Sequence, residues 1–362
     1  PNRVANEIST RTLGSGAGGN LTVDTQRLIV DGRGGFSSNT NNASGRGGDL
    51  SINATESIDL VSGPDGIPGL AVISASTLGG TGNAGSVTIN TGRLRLEKGA
   101  SISSSTFGPG NGGSITVNAS ESIYIAGTRT EPVTGLTGSS IIAEGFLVSP
   151  NIRRLFGLPD NVTGDGGDII INTPKLQVRD GADISVRHDD LGKAGSIVIN
   201  AEGVTLKDRG LINASTTSGE GGSIELIFQD SLFLRSGSLI SAEAKGTGNG
   251  GNITINSPVI VGLENSDIIA NAVEGMGGNI NITTSGIFGL EFREQLTEES
   301  DITASSQFGV NGTVEINNIS IDPSSGLTEL PTELKDPSQQ ISTGCSTNSE
   351  STFVATGRGG IP

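Results

Sequence analysis

Apolar and polar residues alternate in short runs along most of the chain, and each run follows a pair of small residues. In GGSITVN (Gly112–Asn118), the apolar Ile115 and Val117 stand on either side of Thr116. A period of two places Ile115 and Val117 on one face of a β-strand and Thr116 on the other. The pattern therefore predicts many short strands, each with one apolar face.

This run recurs at a regular spacing. In six of the nine steps between copies, its second glycine (Gly312 in the last copy) returns after 27–29 residues. The copies are GGNLTV (Gly18–Val23), GGDLSIN (Gly47–Asn53), AGSVTIN (Ala84–Asn90), GGSITVN (Gly112–Asn118), GGDIIIN (Gly166–Asn172), AGSIVIN (Ala194–Asn200), GGSIELI (Gly221–Ile227), GGNITIN (Gly250–Asn256), GGNINIT (Gly277–Thr283) and NGTVEIN (Asn311–Asn317). A fixed period of this length is typical of repeat architectures. The longer steps indicate the same unit with an insertion.

Two further alternating runs follow within a unit, such as SIYIA (Ser122–Ala126) and DISVR (Asp183–Arg187). Three short strands cannot bury an apolar face alone, whereas stacked units can. We therefore expect an all-β fold, a single-stranded parallel β-helix (β-solenoid) with three strands per coil and about ten coils of 27–29 residues with loop insertions. An antiparallel sandwich is the competing fold, but it does not require three strands with the same corner chemistry in each repeat.

The repeats extend over residues 1–321, with insertions near 62–70, 145–164 and 286–300. Prolines 150 and 159 bracket a short predicted helix in the second insertion. The bulky residues of these insertions predict packing on the shaft, and binding is the alternative. In the third insertion the residues that could cover an apolar flank are Ile287, Phe288, Leu290, Phe292 and Leu296. Residues 322–362 lose the repeat and form a Pro/Ser/Thr-rich tail or cap. An open strand edge at the end of a solenoid templates aggregation, so we expect more protein or a capping element before Pro1. No export signal is in view in the sequence.

Asparagine follows the first strand in most copies. Stacked units would bring these side chains into register, where amides can form a hydrogen-bonded ladder along the axis. Asparagine is also simply a good turn residue, which is the alternative. The residues predicted to form the ladder are Asn53, Asn90, Asn118, Asn172, Asn200, Asn256 and Asn317.

Composition narrows the possible functions. The formal net charge is −16, which repels phosphate backbones and disfavours nucleic acid as a partner. No apolar run approaches the length of a membrane span, so membrane insertion is not expected. The single cysteine, Cys345, excludes a disulfide framework within the chain and is expected to be a free or incidental thiol.

The strongest candidate for catalysis is RHDDLGK (Arg187–Lys193), because it contains the only histidine beside two carboxylates and two cations. Its candidate residues are Arg187, His188, Asp189, Asp190 and Lys193. The equivalent turns of the neighbouring units offer only Glu220, however, and a catalytic cleft needs groups from several units. A charged turn in solvent is the favoured interpretation.

Ligand and cofactor motifs are weak. DGGD (Asp165–Asp168) and DGAD (Asp180–Asp183) suggest calcium, but the nonapeptide repeat of calcium-binding rolls is missing. GSGAGG (Gly14–Gly19) lacks the helix that a dinucleotide site needs. We therefore expect no cofactor and no metal.

The repeats GGSITVN, AGSIVIN and GGNITIN resemble those of filamentous haemagglutinin-like exoproteins of two-partner secretion systems, particularly the cyanobacterial members. The stretches Gly286–Asn317 and FVATGRGGIP (Phe353–Pro362) resemble the C-terminal part of those proteins. The resemblance implies a right-handed β-helix, export through an outer-membrane transporter of the two-partner type, and display at the cell surface or release, often as an adhesin.

The expected function is a non-enzymatic, secreted or surface-associated, adhesin-like structural module. Its expected ligands are glycans or proteins on host or neighbouring cell surfaces. The alternative is a β-helix polysaccharide lyase or hydrolase acting on extracellular glycans, which would require two carboxylates and a cation converging on one groove. A contact-dependent toxin carrier would require a C-terminal toxin domain, and none is visible in the sequence.

Overall fold

The computed structural model describes residues 6–66, 69–132 and 135–318, whose regular secondary structure is β-strand apart from one helix. In chain order the elements are β1 (Asn6–Thr12), β2 (Leu21–Gly32), β3 (Gly34–Asn41), β4 (Leu50–Ser62), β5 (Ala71–Ser74), β6 (Thr77–Leu78), β7 (Val87–Glu97), β8 (Ser101–Ser103), β9 (Ile115–Ala126), β10 (Thr128–Glu131), β11 (Gly135–Gly138), β12 (Ser140–Ile142), α1 (Pro150–Phe156), β13 (Ile169–Arg179), β14 (Asp183–Ser185), β15 (Ser196–Lys207), β16 (Leu211–Asn213), β17 (Ser223–Leu234), β18 (Leu239–Ser241), β19 (Asn252–Asn256), β20 (Val259–Gly262), β21 (Asp267–Ile269), β22 (Asn279–Thr284), β23 (Gly286–Phe288), β24 (Glu291–Phe292), β25 (Asp301–Thr303) and β26 (Thr313–Asn318).

Two long parallel sheets of 12 strands each make a solenoid-like, all-β architecture. The long-strand sheet has the order β2-β4-β7-β9-β13-β15-β17-β19-β22-β26, with β20 and β23 beside its last members. The short-strand sheet has the order β1-β3-β5-β8-β12-β14-β16-β18-β21-β25-β24, and β6 pairs with β3. Successive strands along the chain alternate between the two sheets through most of this region. The predicted parallel pairing of each strand with its counterpart in the next unit is confirmed.

The register places like residues over like. Ile115 of β9 pairs with Val87 of β7 and Ile169 of β13, and Asn118 pairs with Asn90 and Asn172. In these units the first two predicted strands form one continuous element. A register shift interrupts the pairing between them, for example between Thr91 and Arg93. In later units the two strands are separate, as β19 and β20.

The apolar core lies along the inward rows of both sheets. Ile52, Ile89, Val117, Ile171 and Ile199 form one such row, and all five are fully buried. Ile, Val and Leu dominate these rows because β-branched and aliphatic side chains pack well on a pleated surface. The thin core explains why the chain needs only 3% aromatic residues.

The second glycine of every repeat after the first is required by close backbone approach, whereas a Cβ on Gly19 would meet only the Thr10 side chain at 3.8 Å. A Cβ built on Gly195 would lie 1.9 Å from the carbonyl oxygen of Gly167, and one on Gly167 would lie 1.9 Å from that of Gly113. None of these three glycines has a positive φ. The repeated Gly-Gly therefore marks a corner where successive units stack too tightly for any side chain.

The insertions differ in how much of their apolar surface they bury. The predicted helix is confirmed as α1, but none of its residues is buried, and Leu155 and Phe156 are 73% and 59% exposed. In the third insertion Ile287 and Leu290 pack against the core, while Phe288, Phe292 and Leu296 remain exposed. Packing on the shaft is thus correct for parts of the second and third insertions, since Val162 is buried and Phe146 packs edge-on against Phe107, but not for α1.

The structure also contains an insertion that the sequence analysis did not separate. β10 and β11 form an antiparallel hairpin beside the short-strand sheet. Arg129 in this hairpin is 2% exposed; it donates to the Gly69 carbonyl and lies 3.2 Å from a Glu131 carboxylate oxygen. Together with residues 145–164, the hairpin accounts for the longest interval between repeats. The predicted tail, 322–362, and Cys345 lie outside the described residues.

Candidate functional site

The five candidate residues between Arg187 and Lys193 have different partners in the structure. Arg187 and Asp189 lie together, with the Arg187 Nε 3.4 Å from Asp189 Oδ1. Asp190 Oδ2 accepts the backbone N–H of Val162 at 2.7 Å. The backbone N–H of Lys193 donates to Asp165 Oδ1 at 3.0 Å. The five candidate residues therefore do not form one cluster, and their contacts are local and separate.

His188 is buried, with 1% of its surface exposed, and both ring nitrogens are occupied. The backbone N–H of Asp190 donates to its Nδ1 at 3.1 Å, and its Nε2 lies 2.9 Å from the carbonyl oxygen of Gly164. This pairing selects the tautomer with the proton on Nε2, which donates to that carbonyl. An imidazole held this way anchors a loop of the preceding unit and has no free nitrogen for a substrate.

The row that contains His188 explains its role. Thr106, Gly145, His188 and Thr216 follow one another through successive parallel bridges. Thr106 and Thr216 each donate a hydroxyl hydrogen to a nearby glycine carbonyl, that of Gly110 and Gly219 respectively. His188 makes the equivalent bond with a larger side chain. Gly145 provides the space, because a Cβ there would lie 2.0 Å from His188 Cδ2.

Arg187 instead joins Glu144, which the sequence analysis missed. The Arg187 Nε is 3.1 Å from Glu144 Oε1, and its guanidinium lies over the Phe146 ring at 5.3 Å. Ser185 Oγ also donates to Glu144 Oε1. Glu144 and Arg187 come from adjacent units at equivalent positions, directly before the bridge residues Gly145 and His188. The repeat register itself was the signal that could have identified this pair.

Burial dominates the electrostatics of this cluster. Glu144 is 3% exposed, and burial raises its pKa to about 8, against the attraction of Arg187 and with added repulsion from Asp183 and Asp189. Burial also raises the pKa of Asp183 to about 6, again against Arg187. Three carboxyl groups thus share one guanidinium. A carboxyl with a raised pKa resembles a general acid, but Glu144 is buried and already bonded to protein groups.

The predicted asparagine row lies along the long-strand sheet. Each Nδ2 donates to the Oδ1 of the preceding asparagine, from Asn90 to Asn53, Asn118 to Asn90, Asn172 to Asn118 and Asn200 to Asn172, at 2.8–2.9 Å. Asn53 in turn donates to Asp24. Five of the seven predicted residues therefore form one continuous chain of side-chain hydrogen bonds.

The row is interrupted beyond Asn200. Ile227 pairs with Asn200 on one side and with Asn256 on the other. Asn256 next pairs with Thr283, which pairs with Asn317. Asn256 and Asn317 therefore lie in the same register row, but residues without an amide separate them from the ladder and from each other.

The ladder lines a groove along the long-strand sheet, which we call the asparagine groove. It has a volume of about 650 Å³ and lies beside the register shifts of the long strands. Its lining residues are Asn90, Thr91, Asn118, Ala119, Ser120, Asn172, Thr173, Pro174, Asn200, Ala201, Glu202, Ile227 and Gln229. A second hollow of about 340 Å³ continues from Glu202 and Gln229 and adds Lys175, Gly203 and Asp230. A groove this size is within the range of ligand sites.

Side chains beside the Gly-Gly corners form a second set of axial contacts that the sequence analysis did not predict. Asn111 Oδ1 accepts the backbone N–H of Asp165, and Asp165 Oδ1 accepts that of Lys193, each at 3.0 Å. Asp168 Oδ1 likewise accepts the backbone N–H of Ser196 at 2.8 Å. The carboxylates considered for calcium at DGGD therefore bind the backbone of the next unit. Their fixed places on either side of the glycine pair were the available signal.

Neither a metal cluster nor a membrane span emerges from the described part of the chain. Within residues 6–66, 69–132 and 135–318, no group of three or more His, Cys, Asp or Glu side chains has the arrangement to hold a metal ion. The described residues contain one helix, α1, which has seven residues. No helix among them is long and apolar enough to cross a bilayer.

Comparison with known proteins leaves the family open, since no protein-family model, curated protein or solved structure matches this chain.

Proposed function

We propose that this chain is a non-enzymatic, adhesin-like structural module that is secreted or held at the outer-membrane surface and binds glycans or proteins on other cell surfaces. The observation that carries this proposal is the register of the long-strand sheet. It repeats one polar row over many units and lines a continuous open groove. A long shaft with repeated weak polar contacts suits adhesion through many simultaneous interactions.

The proposal includes a closed winding. Each unit forms one right-handed coil with three strands, the long strands counting as two that meet at a bend. Alternation of the chain between two parallel sheets supports this winding, as do the register shifts within the long strands. Parallel crossover connections are nearly always right-handed, which supports the same hand here.

The proposed family and export route rest on the repeat resemblance given above. The chain is a filamentous haemagglutinin-like exoprotein of the cyanobacterial type, and an outer-membrane transporter of the two-partner type exports it. A transporter gene beside the coding sequence is the observation that tests this route. A neighbourhood without such a gene, together with export that proceeds when candidate transporters are deleted, argues against it.

Adhesion is tested with beads that carry the purified chain. We expect coated beads to bind neighbouring bacterial or host cell surfaces more strongly than beads coated with a globular protein of similar net charge. The matched charge excludes a general electrostatic effect, since an acidic surface binds cations without specificity. Equal binding by the two kinds of bead contradicts the adhesin proposal.

A second candidate function follows from the cluster around Arg187. Arg187 lies beside Glu144 of the preceding unit and beside Asp189, so two carboxylates share one cation, although Glu144 is only 3% exposed. A polysaccharide lyase or hydrolase requires such a set of groups to meet in one groove. We test it by incubating the chain with extracellular polysaccharides and measuring new reducing or unsaturated ends. Turnover that Glu144→Gln and Asp189→Asn abolish, without loss of folding, favours the enzyme over the adhesin.

A further inference from the structure

We propose that the asparagine groove binds a single extended strand of a neutral glycan along the axis of the stacked units. This inference rests on the proposed function and assigns it a site and a ligand class. The groove receives residues from successive long strands, from Asn90 in β7 to Gln229 in β17. Its long direction therefore follows the stacking direction, and its form suits a linear polymer better than a compact small molecule.

The groove has the two kinds of surface that a sugar ring needs. Ala119 and Ala201 are buried beneath it, and Pro174 and Ile227 are partly exposed along it. These apolar groups offer a floor for the C–H faces of pyranose rings. The asparagine amides stand beside that floor, and a mostly apolar lining with a few placed polar groups is typical of ligand sites.

The ladder leaves hydrogen-bonding capacity for a ligand. An amide has two N–H donors and an oxygen with two acceptor sites. Within the ladder each middle asparagine, such as Asn118, uses one donor toward Asn90 and one acceptor toward Asn172. From Asn90 to Asn200 the remaining N–H and acceptor sites recur in successive units at the strand spacing of about 4.8 Å. A polymer with hydroxyl groups at a comparable repeat meets this array without bending.

Charge selects the kind of glycan. Glu202 is the only charged residue among those that line the main groove, and Lys175, Glu202 and Asp230 line its continuation. The groove therefore has no cluster of cations to bind uronate or sulfate groups. The net charge of −16 further repels polyanions. A neutral glycan is the ligand class that fits.

The backbone disfavours a peptide as the occupant. An extended peptide gains most of its affinity by pairing with a free strand edge. The strands beneath the groove have no such edge, because β13 is paired to β9 on one side and to β15 on the other. The groove therefore presents side chains and no unpaired strand.

The proposal is tested by titrating the full chain with cellohexaose, xylohexaose, mannohexaose and laminarihexaose, using calorimetry. Polygalacturonate is the anionic comparison. Ser120→Tyr fills the groove from an exposed position on β9, and Ser223→Tyr is the matched control at an exposed position on β17 outside it. We expect at least one neutral oligosaccharide to bind, Ser120→Tyr to weaken it by about tenfold or more, and Ser223→Tyr to leave it unchanged. Circular dichroism and thermal unfolding verify that both variants fold.

Equal affinities for the two tyrosine variants overturn the groove proposal, as does the absence of binding by all four oligosaccharides at millimolar concentration. Tighter binding of polygalacturonate contradicts the choice of a neutral glycan. The bead assay separates these outcomes from failure of the adhesin function. Adhesion that persists in Ser120→Tyr, or that disappears only after protease treatment of the target surface, keeps the adhesin but rejects the glycan groove. Binding of an oligosaccharide without any bead adhesion keeps the glycan groove but rejects the adhesin function.

Discussion

His188 and its bridge partner Gly145 lie in a row in which the residues on either side of this pair, Thr106 and Thr216, are threonines. The small hydroxyls of Thr106 and Thr216 reach a glycine carbonyl in their own turn, whereas the imidazole reaches back to Gly164. The larger ring fits only because Gly145 beneath it has no side chain. His188, the only histidine of the chain, therefore has a packing role. Its sequence neighbours Asp189 and Asp190 do not make it a catalytic base.

We predict that Gly145→Ala destabilises the chain by about 1–3 kcal/mol, the usual cost of overpacking. The physical reason is the close contact between the new Cβ and the His188 ring. His188→Thr should remove most of that cost, because threonine is the residue found in this row on both sides. A double-mutant cycle from denaturant unfolding measures the coupling, and additive effects of the two substitutions contradict this explanation.

Glu144 makes stability depend on pH. Its folded pKa of about 8 lies above the ordinary value of 4.5, so the folded state retains a proton that the unfolded state releases. Stability therefore falls as pH rises between about 4.5 and about 8. The loss is about 1.4 kcal/mol per unit of separation between the two pKa values. Asp183 adds to it over its own interval, from 3.8 to about 6.

We predict that the unfolding temperature of the wild-type chain falls between pH 5 and pH 8 and that Glu144→Gln reduces this dependence. Glutamine keeps the hydrogen-bonding shape without an ionisable proton. Glu225→Gln is the control, since Glu225 is exposed on β17. Thermal unfolding at several pH values provides the measurement. If the unfolding temperature of Glu144→Gln falls with pH as steeply as that of the wild type, another group causes the pH dependence.

The asparagine ladder belongs to the scale of the strand. Each bond joins side chains in successive strands at one register position, so a substitution at one step interrupts the ladder. Ile227 is such an interruption, between Asn200 and Asn256. The ladder therefore continues only while successive strands have asparagine at the same register position. A different residue at that position, such as Ile227, ends it.

We predict that Ile227→Asn extends the ladder and stabilises the chain by about 0.5–1.5 kcal/mol for each new hydrogen bond. Ile227 is 37% exposed, so the substitution also removes some buried apolar surface, and the control has to share that loss. Ile170→Asn is a matched control: Ile170 is 38% exposed on β13, but Thr116 and Val198 flank it and offer no amide. Urea unfolding compares the two. Equal effects of both substitutions contradict a contribution from the ladder.

At the scale of the whole molecule, each unit of the described region pairs mainly with the units before and after it. Stability in such an array is close to a sum of intrinsic and nearest-neighbour terms. The stacked glycine corners are the tightest of these neighbour contacts, since the second glycines of successive units allow no Cβ. A defect at one corner should therefore weaken one interface and leave distant units intact.

We predict that Gly195→Ala weakens hydrogen-exchange protection in the units of β13 and β15 and leaves β4 and β22 protected as in the wild type. The new Cβ would lie 1.9 Å from the Gly167 carbonyl oxygen, so these two units must separate. Gly14→Ala is the control, because a Cβ at Gly14 meets no atom within 4 Å. Uniform loss of protection over all strands would show that the shaft unfolds as one cooperative unit.

The sequence alone was sufficient to predict the parallel stacking of units, the repeat length, the glycine corners and helix α1. These follow from local rules: a period of two, a constant interval between glycines, and prolines at a helix boundary. The row of asparagines was also visible, because residues at one position of a repeat come together when units stack. When one repeat position has the same role in every unit, that role can be predicted from the repeat pattern, without knowledge of contacts between different positions.

Only the tertiary structure decided the contacts between residues from different positions of the repeat. The His188 ring reaches the carbonyl oxygen of Gly164 in the preceding unit, although the residue that stacks on Gly164 is Gly192. His188 and Asp189 are adjacent in sequence, yet one side chain is buried and the other lies beside Arg187. The reason is that successive side chains on extended backbone point to opposite faces, so proximity along the chain does not determine which side chains meet.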